Sequence, residues 1–204
     1  MIWQSVIKFI NDWFCPVFGF ITLAGLLLYS FFRKKFPSPT LLKKIIILII
    51  TIIIAKAILF SVINIISWRN DPVSQYLLPP STPVLYTIRY LFTHYWFSIL
   101  WNFIFAFIVF EGMKILNNQF AQVFFYDEEK YLASIGILLT GWPNCLVYLI
   151  LVLLSGVLSH FFVMIFKKTE TRLSLLYWWL PMALIVFCLN AIITKNIFIS
   201  QFAI

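Results

Sequence analysis

Three residues inside the apolar stretches of this chain carry chemistry that hydrocarbon penalises: Lys56, Glu111 and His160. An ionised amine near the centre of a membrane helix costs about 3 kcal/mol on insertion scales, so it needs a partner or a task. Glu111 is the acid expected to meet it. At 1.5 Å per residue, Lys56 lies about 16 Å and Glu111 about 8 Å from one membrane face. A lysine stem that snorkels bridges much of that gap. Such a pair would fix helix register or belong to an ion or proton path. His160, in "GVLSHFFVM", titrates near neutrality and has relay chemistry. No second His or carboxylate stands three or four residues away, so a hydrogen bond between helices is its expected role, as for Asn64, Asn102 and Asn190.

A second constellation is the acidic run Asp127, Glu128 and Glu129 in "FFYDEEKYLASIG". Paired carboxylates divide acid and base roles when their surroundings separate their pKa values. Three consecutive helical positions point in different directions, so at most two share a site. Acids in the first turn of a helix starting near Tyr126 also face its dipole favourably. The expectation is therefore an interfacial acidic cluster at the wet end of a helix. Cys15, Cys145 and Cys188 stand apart, without a C-x-x-C pair or a neighbouring His, which argues against thiol redox chemistry and a metal centre. No phosphate-binding loop or nucleophile constellation is visible, so no cofactor and no catalytic residue are expected.

The elements that position these residues follow from composition. Of 204 residues, 63% are hydrophobic and 11% charged, against about 25% charged in a soluble domain. Lipid is the solvent this composition suits. The unbroken "IIILIITIII" from Ile45 lacks the in/out alternation of barrel strands, so the spans are predicted to be helical. The predicted fold is an all-α integral membrane protein, one multi-pass domain over 1–204. Its spans run about 14–32, 45–67, 95–116, 132–166 (kinked or re-entrant) and 173–193, the last broken at Pro181. That makes about five transmembrane helices, with six as the alternative, and residues 1–14 form an interfacial helix. Residues 69–93, with Pro72, Pro79, Pro80 and Pro83, form the largest loop. From Leu132 to Phe166 no charge occurs; as one helix this would reach about 52 Å, so "GWPN" at 141–144 must bend it.

The net charge of +8 sits in short clusters beside the spans: Arg33, Lys34 and Lys35, Lys43 and Lys44, then Lys167 and Lys168. These read as the positive-inside signal and as contacts to anionic lipid, not as a nucleic-acid surface. If 132–166 crosses once, eight cations fall inside and six outside; if it crosses twice, ten and four. Cation placement favours the second arrangement, while the ten apolar residues ahead of "GWPN" are short for a crossing arm.

Two resemblances add expectations. "EEKYLASIGILLTGWP" resembles the second motif of prepilin peptidases, with Lys130, Leu132, Ala133, Ile135 and Gly136 in step and Gly141 and Trp142 one residue late. Glu128 stands where that family has a catalytic aspartate, Phe125 and Asp127 replace its glycines, and Asp71 before "LLPP" is the candidate remnant of the first motif. This resemblance implies a degenerate relative of a membrane aspartyl peptidase. The C-terminal half resembles Yip1-type membrane domains through "LLSGVLSHFFVMIFKK" and the later Tyr177 and Pro181. It implies a non-enzymatic multispanning protein working through partners or through membrane organisation. The reading that follows is a scaffold or accessory subunit in a membrane, the cell membrane or else an organelle's. A small transporter or proton-coupled protein using Lys56 and Glu111 is the alternative.

Overall fold

The computed structural model describes residues 15–33, 37–120, 125–167 and 175–193. The predicted interfacial helix over 1–14 and the basic residues Lys34, Lys35, Lys168 and Arg172 lie outside these ranges. The described chain is helical without strands. Its helices are α1 (Cys15–Arg33), α2 (Pro39–Asn70), α3 (Val84–Gln119), α4 (Glu129–Thr140), α5 (Asn144–Lys167) and α6 (Trp179–Ile193). Three of them, α2, α3 and α5, are long and apolar enough to cross a membrane.

Several boundaries differ from expectation for local reasons. α2 begins six residues before the predicted 45, because Pro39 suits the first helical turn, where its missing N–H has no partner to lose. α3 begins far ahead of the predicted 95. Pro83 occupies its N-cap position and nothing in "VLYTIRYLF" breaks the helix afterwards. A π-helical turn over Phe92–Trp96 joins the two parts of α3. The loop predicted over 69–93 is correspondingly shorter, with a 3-10 turn at Ser74–Leu77. Pro181 does not break α6, since it falls in the first turn, where backbone N–H groups are unpaired by the helix in any case.

The stretch 132–166 neither runs straight nor merely kinks. α4 ends at Gly141, whose φ of 73° and ψ of 163° suit only glycine, and the Trp142–Pro143 peptide bond is cis. Beyond it α5 folds back along α4. A side chain added at Gly136 would collide with the ring of Tyr148, although residues 12 apart in one helix would lie about 18 Å apart. α6 then packs on this hairpin. The indole N–H of Trp178 donates to Ser159 Oγ at 3.2 Å, and Gly156 lies against Leu175. Gly156 and Ser159 thus form a small-residue contact with the turn leading into α6, while Ser155 donates to Leu151 O at 2.7 Å within its own helix.

α4 is the centre of the bundle. Ten of its twelve residues are buried, so it faces protein on all sides rather than showing one apolar stripe. α3 holds both of its ends with asparagines. Asn102 Nδ2 donates to Leu138 O at 3.1 Å, a carbonyl in the last turn that the helix itself cannot pair. Asn117 Nδ2 donates to Phe125 O at 2.9 Å, and its Oδ1 accepts from Phe125 N at 3.0 Å. Ser98 Oγ reaches Trp142 O at 3.4 Å, and the Trp142 ring stacks on Phe105 at 5.2 Å and Trp101 at 6.0 Å. Outward faces are apolar: Ile47, Leu48 and Ile58 on α2, Phe107 and Ile108 on α3, and Leu153 and Val157 on α5 are each more than half exposed.

Candidate functional site

The three acids of the opening run meet three different environments, because α4 begins at Glu129, three residues later than the predicted start near Tyr126, and leaves Asp127 and Glu128 in the turn before it. Asp127 is exposed and faces Lys130 Nζ at 3.4 Å. Glu128 occupies the N-cap position of α4 and is half-buried. Glu129 is fully buried. The predicted wet end of a helix therefore holds for Asp127 and fails for Glu129. Burial there follows from what converges on it: Trp179 of α6 donates its indole N–H to Glu129 Oε2 at 3.1 Å, and the Tyr126 amide donates to Oε1 at 3.2 Å. The second contact turns the carboxylate back onto the chain entering α4, as in a capping box. The first ties α6 to the hairpin.

Next along the helix, the buried Tyr131 ring is the meeting point of two cations. Lys130 Nζ lies 5.5 Å and Lys43 Nζ of α2 lies 5.9 Å from its centroid, within cation–π range. Phe110 of α3 meets the same ring edge-on at 5.3 Å. On the far side of α4, Tyr148 is completely buried against Gly136, its ring 6.1 Å from Trp179. Its hydroxyl has no hydrogen-bond partner among the described residues. Glu129, Trp179 and Tyr148 thus make one polar and aromatic node where α4, α5 and α6 meet, and Tyr131 makes a second contact where α2, α3 and α4 meet.

The predicted pair of Lys56 and Glu111 does not form. Glu111 is held by Lys114 of its own helix at 3.1 Å, in an i, i+3 pair whose side chains are 32% and 49% exposed. That local geometry orders little chain and so wins over a contact reaching across depths. Lys56 is half-buried, with the Phe60 ring 5.3 Å from its ammonium. Among the described residues it has no carboxylate within ion-pair distance. His160 is half-buried on α5, one residue beyond the Ser159 that bonds Trp178. The interhelical bond expected of His160 is made by its neighbour.

The two acids that the peptidase resemblance would pair are kept apart. Asp71 caps the end of α2 and accepts from the Ser74 amide at 2.9 Å and from the Ser74 hydroxyl, which holds its carboxyl below the usual range. Glu128 lies at the opposite end, near the Tyr131 ring that Lys43 adjoins. From Lys43 to Asp71 the helix alone spans about 42 Å. A two-carboxylate site needs both acids on one scissile bond, and no such arrangement exists among the described residues. Cys145 is buried and Cys188 exposed, both as free thiols, and no described His, Cys, Asp and Glu cluster could hold a metal ion.

Sequence reasoning overlooked Trp179, Asn117 and Tyr148. The doubled Trp178 and Trp179 ahead of Pro181 was the available signal for the first, because a buried indole needs an acceptor. Asn117 sits in "LNNQ" at the helix end, where it reads as a surface residue. No family model, curated protein or solved structure matches this chain.

Proposed function

We propose that this chain is a multi-pass integral membrane protein acting as a scaffold or accessory subunit of a membrane assembly. The carrying observation is where its polar side chains are used. Glu129 with Trp179, Asn102 and Asn117 with the ends of α4, Ser98 with the turn, and Ser159 with Trp178 all join one helix or turn to another. Groups used in this way hold a shape. The three long apolar helices and their exposed Ile, Leu and Phe surfaces fit lipid on the outside.

The α4–α5 hairpin supports a particular threading. A chain that enters along α4 and returns along α5 leaves on the side where it entered, so Lys167 at the end of α5 shares a side with Lys130. This is the distribution with ten cations inside and four outside, in line with the positive-inside bias. At about 18 Å, α4 is too short to span the roughly 30 Å hydrocarbon by itself. Enclosed by the bundle, it does not meet lipid and has no need to.

Purification of tagged protein from its native membrane in mild detergent tests the reading. A stoichiometric second membrane protein, retained through size-exclusion chromatography, is the expected result. Recovery of this chain alone, folded by circular dichroism and at a molecular mass of one copy, would overturn it.

A further inference from the structure

From Ile45 to Trp68 the α2 sequence holds a single charge, Lys56. It lies about 18 Å along the helix from Lys44 and about 20 Å from Arg69. A lysine stem of roughly 6 Å does not carry an ammonium from there to either headgroup layer. The Phe60 ring approaches it at 5.3 Å, which offsets part of the cost of a cation in hydrocarbon, and among the described residues no carboxylate balances its charge.

Four of the five described acids are committed elsewhere. Glu111 is held by Lys114, Asp127 by Lys130, Glu129 by Trp179 and Asp71 by Ser74. The fifth, Glu128, stands at the N-cap position of α4 without a side-chain cap bond, toward the Lys43 end and about 20 Å along α2 from Lys56. A second copy of this chain therefore brings no uncommitted acid at the depth of Lys56 among its described residues. Anionic lipid keeps its phosphate at the surface. Among the described residues no acid complements Lys56; an acid inside the bilayer on another polypeptide would do so.

The surface beside Lys56 has the form of a helix seam. Leu48, Ile52, Ala55, Leu59 and Val62 follow one another at intervals of four, three, four and three residues, the spacing at which two helices interlock. Leu48, Leu59 and Val62 are 53%, 41% and 48% exposed, and the small Ala55, also exposed, permits close approach. Lys56 directly follows Ala55 and flanks this seam, the place from which charged side chains select partners in paired helices.

We infer that Lys56 is the recognition point for a transmembrane helix of a different protein that carries an aspartate or glutamate near its middle. The inference rests on the accessory-subunit reading and names the chemistry of the partner. A carboxylate on the partner and the ammonium on α2 each remove the other's burial cost, so either span inserts more favourably with its partner than alone.

The test uses the full chain in phosphatidylcholine vesicles with a synthetic Leu/Ala transmembrane helix bearing one central aspartate, association being read by energy transfer. The expected result is saturable association with the wild-type chain. It should weaken about tenfold with Lys56→Leu, survive in Lys56→Arg, and be about tenfold weaker for a helix whose aspartate is moved toward its end or replaced by leucine. Because Lys56→Leu makes α2 more apolar, circular dichroism should show it folded. Equal association with wild type and Lys56→Leu, or none with wild type, would overturn the inference. So would a Lys56-dependent proton or anion flux through vesicles without helix association, which would move Lys56 to a transport path. Native purification separates the two levels: a second chain retained equally by Lys56→Leu would uphold the accessory role and reject Lys56 as its contact.

Discussion

Replacing Glu129 by alanine should be among the most damaging single changes in this bundle. The side chain is fully buried and its two oxygens accept from Trp179 Nε1 at 3.1 Å and from the Tyr126 amide at 3.2 Å. Truncation leaves two donors without these acceptors, at about 1–3 kcal/mol each, and opens a void at the start of α4. The sum is about 3–5 kcal/mol, the range for removing one member of a buried charged contact. Glu129→Gln keeps the volume and one carbonyl acceptor, and should cost about 1–2 kcal/mol. Trp179→Phe keeps a ring against Tyr148 and loses the donor, at about 1–3 kcal/mol. Because the two side chains share a bond, the double variant should fall short of the sum by about 1–3 kcal/mol. Unfolding by sodium dodecyl sulfate in mixed micelles, followed by far-ultraviolet circular dichroism, measures all four. If Glu129→Ala stays within about 0.5 kcal/mol of wild type, as a surface substitution would, the carboxylate does not hold the node together and the description of α4 as the bundle's tie is wrong.

Three further outcomes follow from local geometry. Gly136→Ala should destabilise by about 1–3 kcal/mol despite alanine's better helix propensity, because its methyl meets the immovable Tyr148 ring. Tyr148→Phe should be neutral or stabilising by itself, since its buried hydroxyl is unpartnered, and should relieve part of the Gly136→Ala defect in the same detergent titration. Gly141→Ala meets no neighbouring atom, yet should cost about 1–3 kcal/mol from its positive φ alone, and Gly141→Asn should not recover it, because a ψ of 163° lies outside the left-handed region that asparagine tolerates. At the other end of α2, Ser74 holds the Asp71 carboxyl below its ordinary value. A pKa lowered on folding gives stability that is present above the unfolded value of about 3.9 and is lost as pH falls through the folded one. Hydrogen-exchange protection of the Ser74 amide, corrected for intrinsic rate, should therefore drop below about pH 4 and become insensitive to pH in Asp71→Asn.

What the sequence disclosed was set by how each signal arises. The helical character, α1 and the bend at "GWPN" follow from composition, apolar run length and the backbone limits of Gly and Pro, all of which act locally. The starts of α2 and α3 were misplaced because hydrophobicity marks where lipid begins, whereas a helix continues until something stops it. Pro83 and Pro39 were the true limits. The bonds that join helices were less legible. Asn102 was expected to bond between helices and does. Its partner is a carbonyl freed by the end of α4, which no spacing rule specifies. Glu111 looked like the mate of Lys56 because both are intramembrane charges; a lysine three residues along its own helix claimed it.

The fate of the acidic run shows how side-chain chemistry and topology divide the work. Residue types alone give Asp127, Glu128 and Glu129 one description, acids at a helix start. The turn at Asp127 and Glu128 and the helix start at Glu129 then send them in different directions, and only the fold decides that the third points at Trp179. Once it does, a carboxylate becomes affordable in the interior because an indole and an amide take the place of water around its oxygens. The same logic applied to Lys56 gives the opposite outcome. Its direction from α2 meets one aromatic ring and no acid among the described residues. The bundle satisfies Glu129 from within, whereas Lys56 meets no acid among the described residues, which is the observation behind the helix partner proposed for α2.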